Sequence, residues 1–367
     1  MHESNDKRLS YGNFNNPLGL VSRMLRSGNR AAYSALFREA LGIGLKPADL
    51  LLSLFERRRS VSSESSSNNQ PLILIVGPPR SGTTLIYQVL ANCLEVSYAS
   101  NLMGLFPRSP LTATRLFGRF VSARPVADFR SYFGQSSRLS GPHDGFFIWN
   151  RWLGEDRYAP KGQLTASESE KMREFFARWT TEIPTPFLNK NNRNTNCIDL
   201  LARELPSARF LIVRRNPAAI VRSLIRAREQ VQGDRRAPWG LLSSAKSDHQ
   251  LGYVDDVCSQ VTQIEKRLDE QLRAIATSKI IEVTYEDFCH NPKALLDRMV
   301  ERIPNLRIAS GVKMPACFKC STGRPLSDAE EERIRSWMRY SMIWRRWEAV
   351  RSPPTTSILC FMPTPNH

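Results

Sequence analysis

No apolar stretch in this sequence reaches the roughly 18 residues that a membrane-spanning helix needs. The opening residues MHESNDKRLSYGNFNNPLGLVSRMLRSGNR also lack a signal-peptide core, so a cytoplasmic protein is expected, with peripheral membrane contact left open. Histidine is scarce, and no His, Cys, Asp or Glu grouping has metal-ligand spacing, so no metal centre is expected. The seven cysteines (Cys93, Cys197, Cys258, Cys289, Cys317, Cys320, Cys360) are odd in number and sit mostly in apolar or helical contexts. Cys317 and Cys320 form a CxxC with no second pair, which points to plain thiols rather than a disulfide framework or a zinc site. Acidic residues are also in short supply, 35 against 52 Lys and Arg, and the formal charge of +17 favours anionic partners. Nucleic acid is not expected among them, because Arg is spread among acidic residues instead of forming a stripe or tail with stacking aromatics.

What is present suits one large domain with elaborations, at 367 residues and 41% hydrophobic content. Residues 17–58 carry apolar positions at helical spacing, Leu50, Leu51, Leu54 and Phe55 among them, and run into Arg57-Arg58-Arg59. We read residues 1–59 as a helical preface. Docking on the main domain is the commoner fate of such a basic amphipathic helix, and lying on a membrane surface is the alternative. Residues 60–70, SVSSESSSNNQ, read as a linker, residues 71–350 as the main domain, and residues 351–367, rich in Pro and Thr, as a loose tail.

The apolar run Pro71 to Val76 suits a strand buried on both faces, a glycine loop follows, and Leu85 to Cys93 reads as a helix. Further strands are expected at Phe210–Val213 and Ile280–Thr284. Helices are expected at Ala218 to about Gln230 and along the face Val254, Val257, Val261, Ile264, Leu268, Leu272 and Ile275. This alternation predicts an α/β fold with a parallel β-sheet flanked by helices.

The loop Gly77-Pro78-Pro79-Arg80-Ser81-Gly82-Thr83-Thr84 has the GxxxxG spacing of a nucleotide P-loop, in which backbone N–H groups and a helix N-terminus hold anionic oxygens. The Lys that grips a triphosphate after the second Gly is replaced by Thr83, and the cation moves to Arg80. PPRSGTTL resembles the 5'-phosphosulfate motif of sulfotransferases that use 3'-phosphoadenosine-5'-phosphosulfate (PAPS). A second segment, Ala208 to Ser223, resembles that family's 3'-phosphate strand, turn and helix, with Arg215 and Ser223 at the family spacing. Phe187-Leu188-Asn189-Lys190-Asn191 is similar to a lysine-bearing segment of tyrosylprotein sulfotransferases, and Ile281 to Phe288 to the strand end whose Tyr, here Tyr285, lies near the adenine. Ser321-Thr322-Gly323-Arg324-Pro325 resembles the loop that closes over the nucleotide in glycosaminoglycan sulfotransferases.

The resemblance spans most of residues 71–326 and implies a P-loop NTPase-like sulfotransferase fold, with PAPS as donor, PAP as product and no metal. It implies that Arg80, Ser81, Gly82, Thr83 and Thr84 hold the phosphosulfate, that Arg215 and Ser223 hold the 3'-phosphate, and that Tyr285, Thr322, Gly323 and Arg324 complete the nucleotide site. Charge on the leaving oxygen needs cations, for which Arg80 and Lys190 are the candidates. The acceptor must lose a proton, and His143 and Asp144 are the candidate bases, with Glu155 and Asp156 competing. Two departures leave the acceptor open: SYASNLM lacks the Glu that tyrosylprotein sulfotransferases place after the first helix, and Leu85 stands where small-molecule sulfotransferases carry Trp. Carbohydrate or glycolipid stands slightly ahead of protein tyrosine or a small metabolite. The alternatives are a P-loop kinase or NTPase, and a non-catalytic basic protein that holds anionic lipid or nucleic acid.

Overall fold

The computed structural model describes residues 16–57, 70–121, 129, 131–154, 161–241, 252–323, 325–341, 343–344 and 347. In chain order the elements begin with α1 (Pro17–Arg26), α2 (Arg30–Arg57), β1 (Leu72–Val76), α3 (Thr83–Cys93), β2 (Ser97–Tyr98), α4 (Asn101–Leu105) and α5 (Pro110–Phe117). A hairpin of β3 (Ser131–Tyr132) and β4 (Gln135–Ser136) follows, then α6 (Phe146–Leu153), α7 (Ala166–Glu182), β5 (Phe187–Lys190), α8 (Ile198–Glu204) and β6 (Ala208–Arg214). The chain continues through α9 (Pro217–Gln232), α10 (Tyr253–Leu272), β7 (Ile280–Thr284), α11 (Tyr285–His290), α12 (Pro292–Arg302) and α13 (Asp328–Tyr340).

Five strands form a parallel sheet in the order β2-β5-β1-β6-β7. β1 lies at its centre with every residue buried, which is why its sequence is an unbroken apolar run. Its side chains alternate between two cores. Leu72, Leu74 and Val76 pack with Trp149, Phe176, Trp179 and Phe187, whereas Ile73 and Ile75 pack with α3, Phe288 and the apolar face of α12. The α/β expectation is met. β6 extends beyond the expected Phe210–Val213 at both ends, and Ile275 lies past the end of α10 although it packs on the core.

From β1 the chain passes to one side of the sheet for β2 and β5, then crosses to the other side for β6 and β7. That reversal opens a crevice at the carboxyl ends of β5, β1 and β6, the usual ligand position in an open parallel sheet. The loop after β1, Lys190 at the end of β5, Arg215 after β6 and Tyr285 after β7 all lie at those ends.

The preface is fixed to this domain by polar contacts. Asp49 of α2 accepts hydrogen bonds from the Arg108 N–H, from the Ser109 N–H at 3.1 Å and from the Ser109 hydroxyl at 2.7 Å. Glu56 accepts from the N–H groups of Leu111 and Thr112 and from the Thr112 hydroxyl at 2.6 Å. The two carboxylates thus satisfy donors at the N-terminus of α5, where negative charge is favoured. Arg23 of α1 donates to the Gln230 and Val231 carbonyls near the end of α9. Apolar packing on the inner side comes from Leu41, Leu45, Ala48 and Leu52 against Leu102, Leu105 and Phe106.

The sequence suggested Leu50, Leu51, Leu54 and Phe55 as part of a docking face. All four are instead exposed, on the outer side of α2.

Asp49→Ala leaves three donors without their carboxylate and is expected to destabilise the protein by about 2 kcal/mol. Urea denaturation measures this, and an unchanged midpoint would show that α2 docks without that contact.

Candidate active site

The loop after β1 is shaped by close backbone approach. A Cβ on Gly77 would lie 2.4 Å from the Val213 carbonyl oxygen of β6. One on Gly82, which has φ +92°, would lie 2.1 Å from the Tyr285 ring. Between them Arg80 adopts φ +70°, a left-handed conformation that costs a non-glycine residue energy and tends to mark functional loops. Thr195 fastens the loop from beneath, since its hydroxyl accepts from the Gly77 N–H and donates to the Gly77 carbonyl. Helix α3 starts at Thr83 with no side-chain cap, so its first N–H groups face the crevice unsatisfied. The Ser81 hydroxyl is fully buried and has no hydrogen-bond partner.

Arg80 and Arg215 converge beside this loop. Arg80 Nε donates to Ser223 Oγ at 2.9 Å, and the guanidinium lies 5.2 Å from the centre of the Phe133 ring. Arg215 donates to the Arg80 carbonyl at 2.7 Å and to the Ser321 carbonyl, and it stacks 4.3 Å from the centre of the Tyr285 ring. Among the described residues its Nε has no hydrogen-bond partner. Burial, reinforced by the positive charge of Arg215, pushes Arg80 down to about 10. Among the described residues neither arginine forms an ion pair with a carboxylate. The orphaned Ser81 hydroxyl, the orphaned Arg215 Nε, the uncapped helix and the two unneutralised cations suit a polyanion with several oxygens.

Lys190, 2% exposed, donates from Nζ to Asp144 Oδ2 at 2.9 Å. A Cβ placed on Gly134 would come within 3.6 Å of both of those atoms and within 3.9 Å of the Thr84 hydroxyl, so the β3–β4 turn closes over Lys190, Asp144 and Thr84 together. Thr83 reaches the side-chain carbonyl of Asn192 at 3.4 Å.

His143 accepts the Gly145 N–H on Nδ1 at 2.9 Å, and its Nε2 lies next to Gly104. The neutral ring therefore carries its proton on Nε2. Burial, partly opposed by Asp144, pushes its pKa down to about 4. Such a ring is well suited to donating a hydrogen bond from Nε2, and of the two candidate bases Asp144 is the one in contact with Lys190.

The other expected site residues are distributed as follows. Ser223 meets Arg80, which places Arg80 on the side of the site expected to hold the 3'-phosphate. Tyr285 lies beneath Gly82 and is 6% exposed, which makes it a support for the loop and leaves little ring surface for an adenine. Ser321 binds Arg215 through its carbonyl, Thr322 is exposed, and Gly323 with φ +77° lies against Arg222 and α9. Arg324, Glu155 and Asp156 lie outside the described residues. Sequence reading missed Thr195, Asn192 and the turn Phe133-Gly134. Gly134 was the available signal, since an isolated glycine in a Tyr-Phe-Gly-Gln run marks a turn.

Among the described residues no group of three or more His, Cys, Asp or Glu could hold a metal ion. A profile of the Sulfotransferase family matches residues 71–304. The chain belongs to the sulfotransferase family.

Among its relatives is Stf3, omega-hydroxy-beta-dihydromenaquinone-9 sulfotransferase, of Mycobacterium tuberculosis and Mycobacterium bovis. Each is 22% identical over 255 residues, which cover 64% of this chain and only 62% of the relative's length. Two solved mycobacterial sulfotransferases are also similar. STF9 of Mycobacterium avium has 19% identity, covers 75% of this chain and 69% of its own, and gives a TM-score of 0.40. STF1 of Mycobacterium tuberculosis has 10% identity, covers 91% of each chain, and gives a TM-score of 0.43. Helices α1, α2 and α13 fall outside the span matched to the family.

The depressed value of His143 sets a pH signature. Because the unfolded histidine titrates near 6.5 and the folded one near 4, the unfolded chain binds the extra proton in that window. The stability due to neutral His143 is full above pH 6.5 and is lost as pH falls through 4. His143→Gln should flatten the fall of the urea midpoint between those values, and matching slopes in the two proteins would show that His143 titrates normally.

Proposed function

We propose that this protein transfers a sulfuryl group from PAPS to a hydroxyl of a lipid-like or small apolar acceptor, leaving PAP. The observation that carries this reading is the convergence of Arg80 and Arg215, without carboxylate partners, beside the uncapped N-terminus of α3. In this reading the backbone of Gly82 to Thr84 and the Ser81 hydroxyl hold the 5'-phosphosulfate, and Arg215, Ser223 and Arg80 hold the 3'-phosphate side.

Lys190 supplies positive charge to the oxygen that leaves sulfur, held in place by Asp144 next to Thr84. As the sulfur–oxygen bond to the phosphate breaks and one to the acceptor oxygen forms, Asp144 takes the acceptor proton. The neutral His143 ring offers its Nε2–H as a hydrogen-bond donor on the acceptor side. A kinase reading is disfavoured because Thr83, whose hydroxyl meets Asn192, stands where a triphosphate P-loop carries its lysine.

Of the acceptor classes set out from the sequence, the lipid one draws support from the hydroxylated menaquinone in the name of Stf3 and from the apolar outer side of α2. Nothing in the site favours a carbohydrate.

Purified protein incubated with radiolabelled PAPS and a lipid extract should yield a labelled product, unaffected by EDTA. Lys190→Ala should lower turnover by about 10²–10³-fold, whereas Arg80→Ala should act chiefly by weakening PAP binding. Arg215→Ala should weaken PAP binding, measured by calorimetry. Tight binding of magnesium-ATP with no binding of PAP would overturn the assignment in favour of a P-loop kinase or NTPase.

A further inference from the structure

Helix α2 is apolar on both sides. Its protein-facing side packs through Leu41, Leu45 and Leu52 and buries Asp49, Ser53 and Glu56 beside them, while its outer side carries Tyr33, Phe37, Ile43, Leu51, Leu54 and Phe55, all exposed. Phe37 is 68% exposed, Leu51 63% and Phe55 58%. These positions recur at helical spacing, so the stripe runs nearly the whole 28-residue helix, about 40 Å at 1.5 Å per residue. Helix α5, whose N-terminus the two carboxylates cap, adds exposed Leu116 and Phe117, and Phe120 follows with the Arg119 guanidinium 4.7 Å from its ring centre. An exposed apolar stripe of this length along a helix marks an interaction face.

The charge around the stripe identifies the partner. Residues 17–59 contain eight Lys or Arg and three carboxylates. Two of the three, Asp49 and Glu56, are buried against α5, so Glu39 is the one acidic side chain exposed on α1 and α2, against Arg26, Arg30 and Lys46. A second copy of the chain packed on this face would bring like charges together, whereas anionic lipid headgroups would neutralise them. The inner side of α2 reaches the catalytic crevice as well: Arg38 donates to Gln135 of the hairpin at 3.3 Å, and its charge acts on His143.

We propose that the outer face of α2 lies on an anionic membrane surface, apolar stripe inward, holding the acceptor side of the crevice close to the leaflet. The proposal does not depend on sulfuryl transfer, because membrane binding is read without turnover.

The test is co-sedimentation of the full chain with phosphatidylcholine vesicles and with vesicles that also contain phosphatidylserine, at low and high salt. The variants are Leu51→Glu/Leu54→Glu and, separately, Lys46→Glu. The wild-type protein should pellet with the anionic vesicles, more weakly in high salt, and the double variant should bind at least about tenfold more weakly. Lys46→Glu should reduce binding to the anionic vesicles and leave binding to neutral ones unchanged. Both substituted leucines are exposed, so PAP binding of the double variant should match wild type, which shows that it is folded. Wild-type protein remaining in the supernatant would overturn the proposal, and so would a double variant that pellets like wild type. Sedimentation velocity without lipid covers the rival occupant: a dimer that the double variant dissolves would assign the face to a second copy. Failure of PAP binding in the wild type would instead remove the donor assignment and leave the membrane result standing.

Discussion

Two adjacent arginines at the end of β6 have opposite surroundings, and the site depends on the difference. Arg214 is neutralised by Glu265, Asp269 and Glu282, a network that joins β6 to α10 and β7. Among the described residues Arg215 has no carboxylate partner and is held by two backbone carbonyls and the Tyr285 ring, with Arg80 close by. Burial first, and then repulsion by the neighbouring like charge of Arg215, lowers the Arg80 guanidinium from its ordinary value. The fold keeps the two guanidiniums together by tying Arg215 to the Arg80 carbonyl and Arg80 to Ser223. Anionic ligand oxygens would supply the missing counter-charge, so the unfavourable arrangement in the free protein becomes binding energy in the complex.

That arrangement requires a backbone with no slack. Gly77 and Gly82 let the loop lie against the Val213 carbonyl and the Tyr285 ring at distances that exclude a Cβ. Tyr285 therefore links three parts of the site: it supports Gly82 on one side, stacks with Arg215 on another, and begins α11 directly after β7. A phosphate-binding loop held this way needs little rearrangement to present its N–H groups, which favours tight and specific anion binding.

The strand, loop and helix that the proposal assigns to the donor were legible in the sequence because local rules govern them. An apolar run makes β1, glycines make the loop, and Arg215 and Ser223 are separated by eight residues, about two helical turns along a helix that Pro217 starts and Asn216 caps. The rest depends on contacts between distant segments. Nothing in the chain order states that β5 slips between β2 and β1, or that the Phe133-Gly134 turn covers Lys190. His143 stood out because it falls among aromatics. Its Nδ1, however, is taken by a backbone N–H two residues away, and that contact decides its chemistry. For α2, periodicity revealed an apolar stripe but not its direction, because a stripe alone does not say whether protein or something else covers it. The direction was set by Asp49 and Glu56, whose partners lie at the start of α5, more than fifty residues further along the chain.

In the proposed reading, donor and acceptor functions fall to different parts of the chain. The groups assigned to the donor come from the loop after β1 and the ends of β6 and β7, mostly inside the span shared with the sulfotransferase family. The β3–β4 hairpin, which the proposal puts on the acceptor side, packs through Tyr132 against the Met24, Ala32 and Ala35 cluster of the preface and accepts a hydrogen bond from Arg38 through Gln135. The same hairpin carries Gly134, whose backbone lies close to Lys190, Asp144 and Thr84, so the preface and those three residues meet on the two sides of one turn.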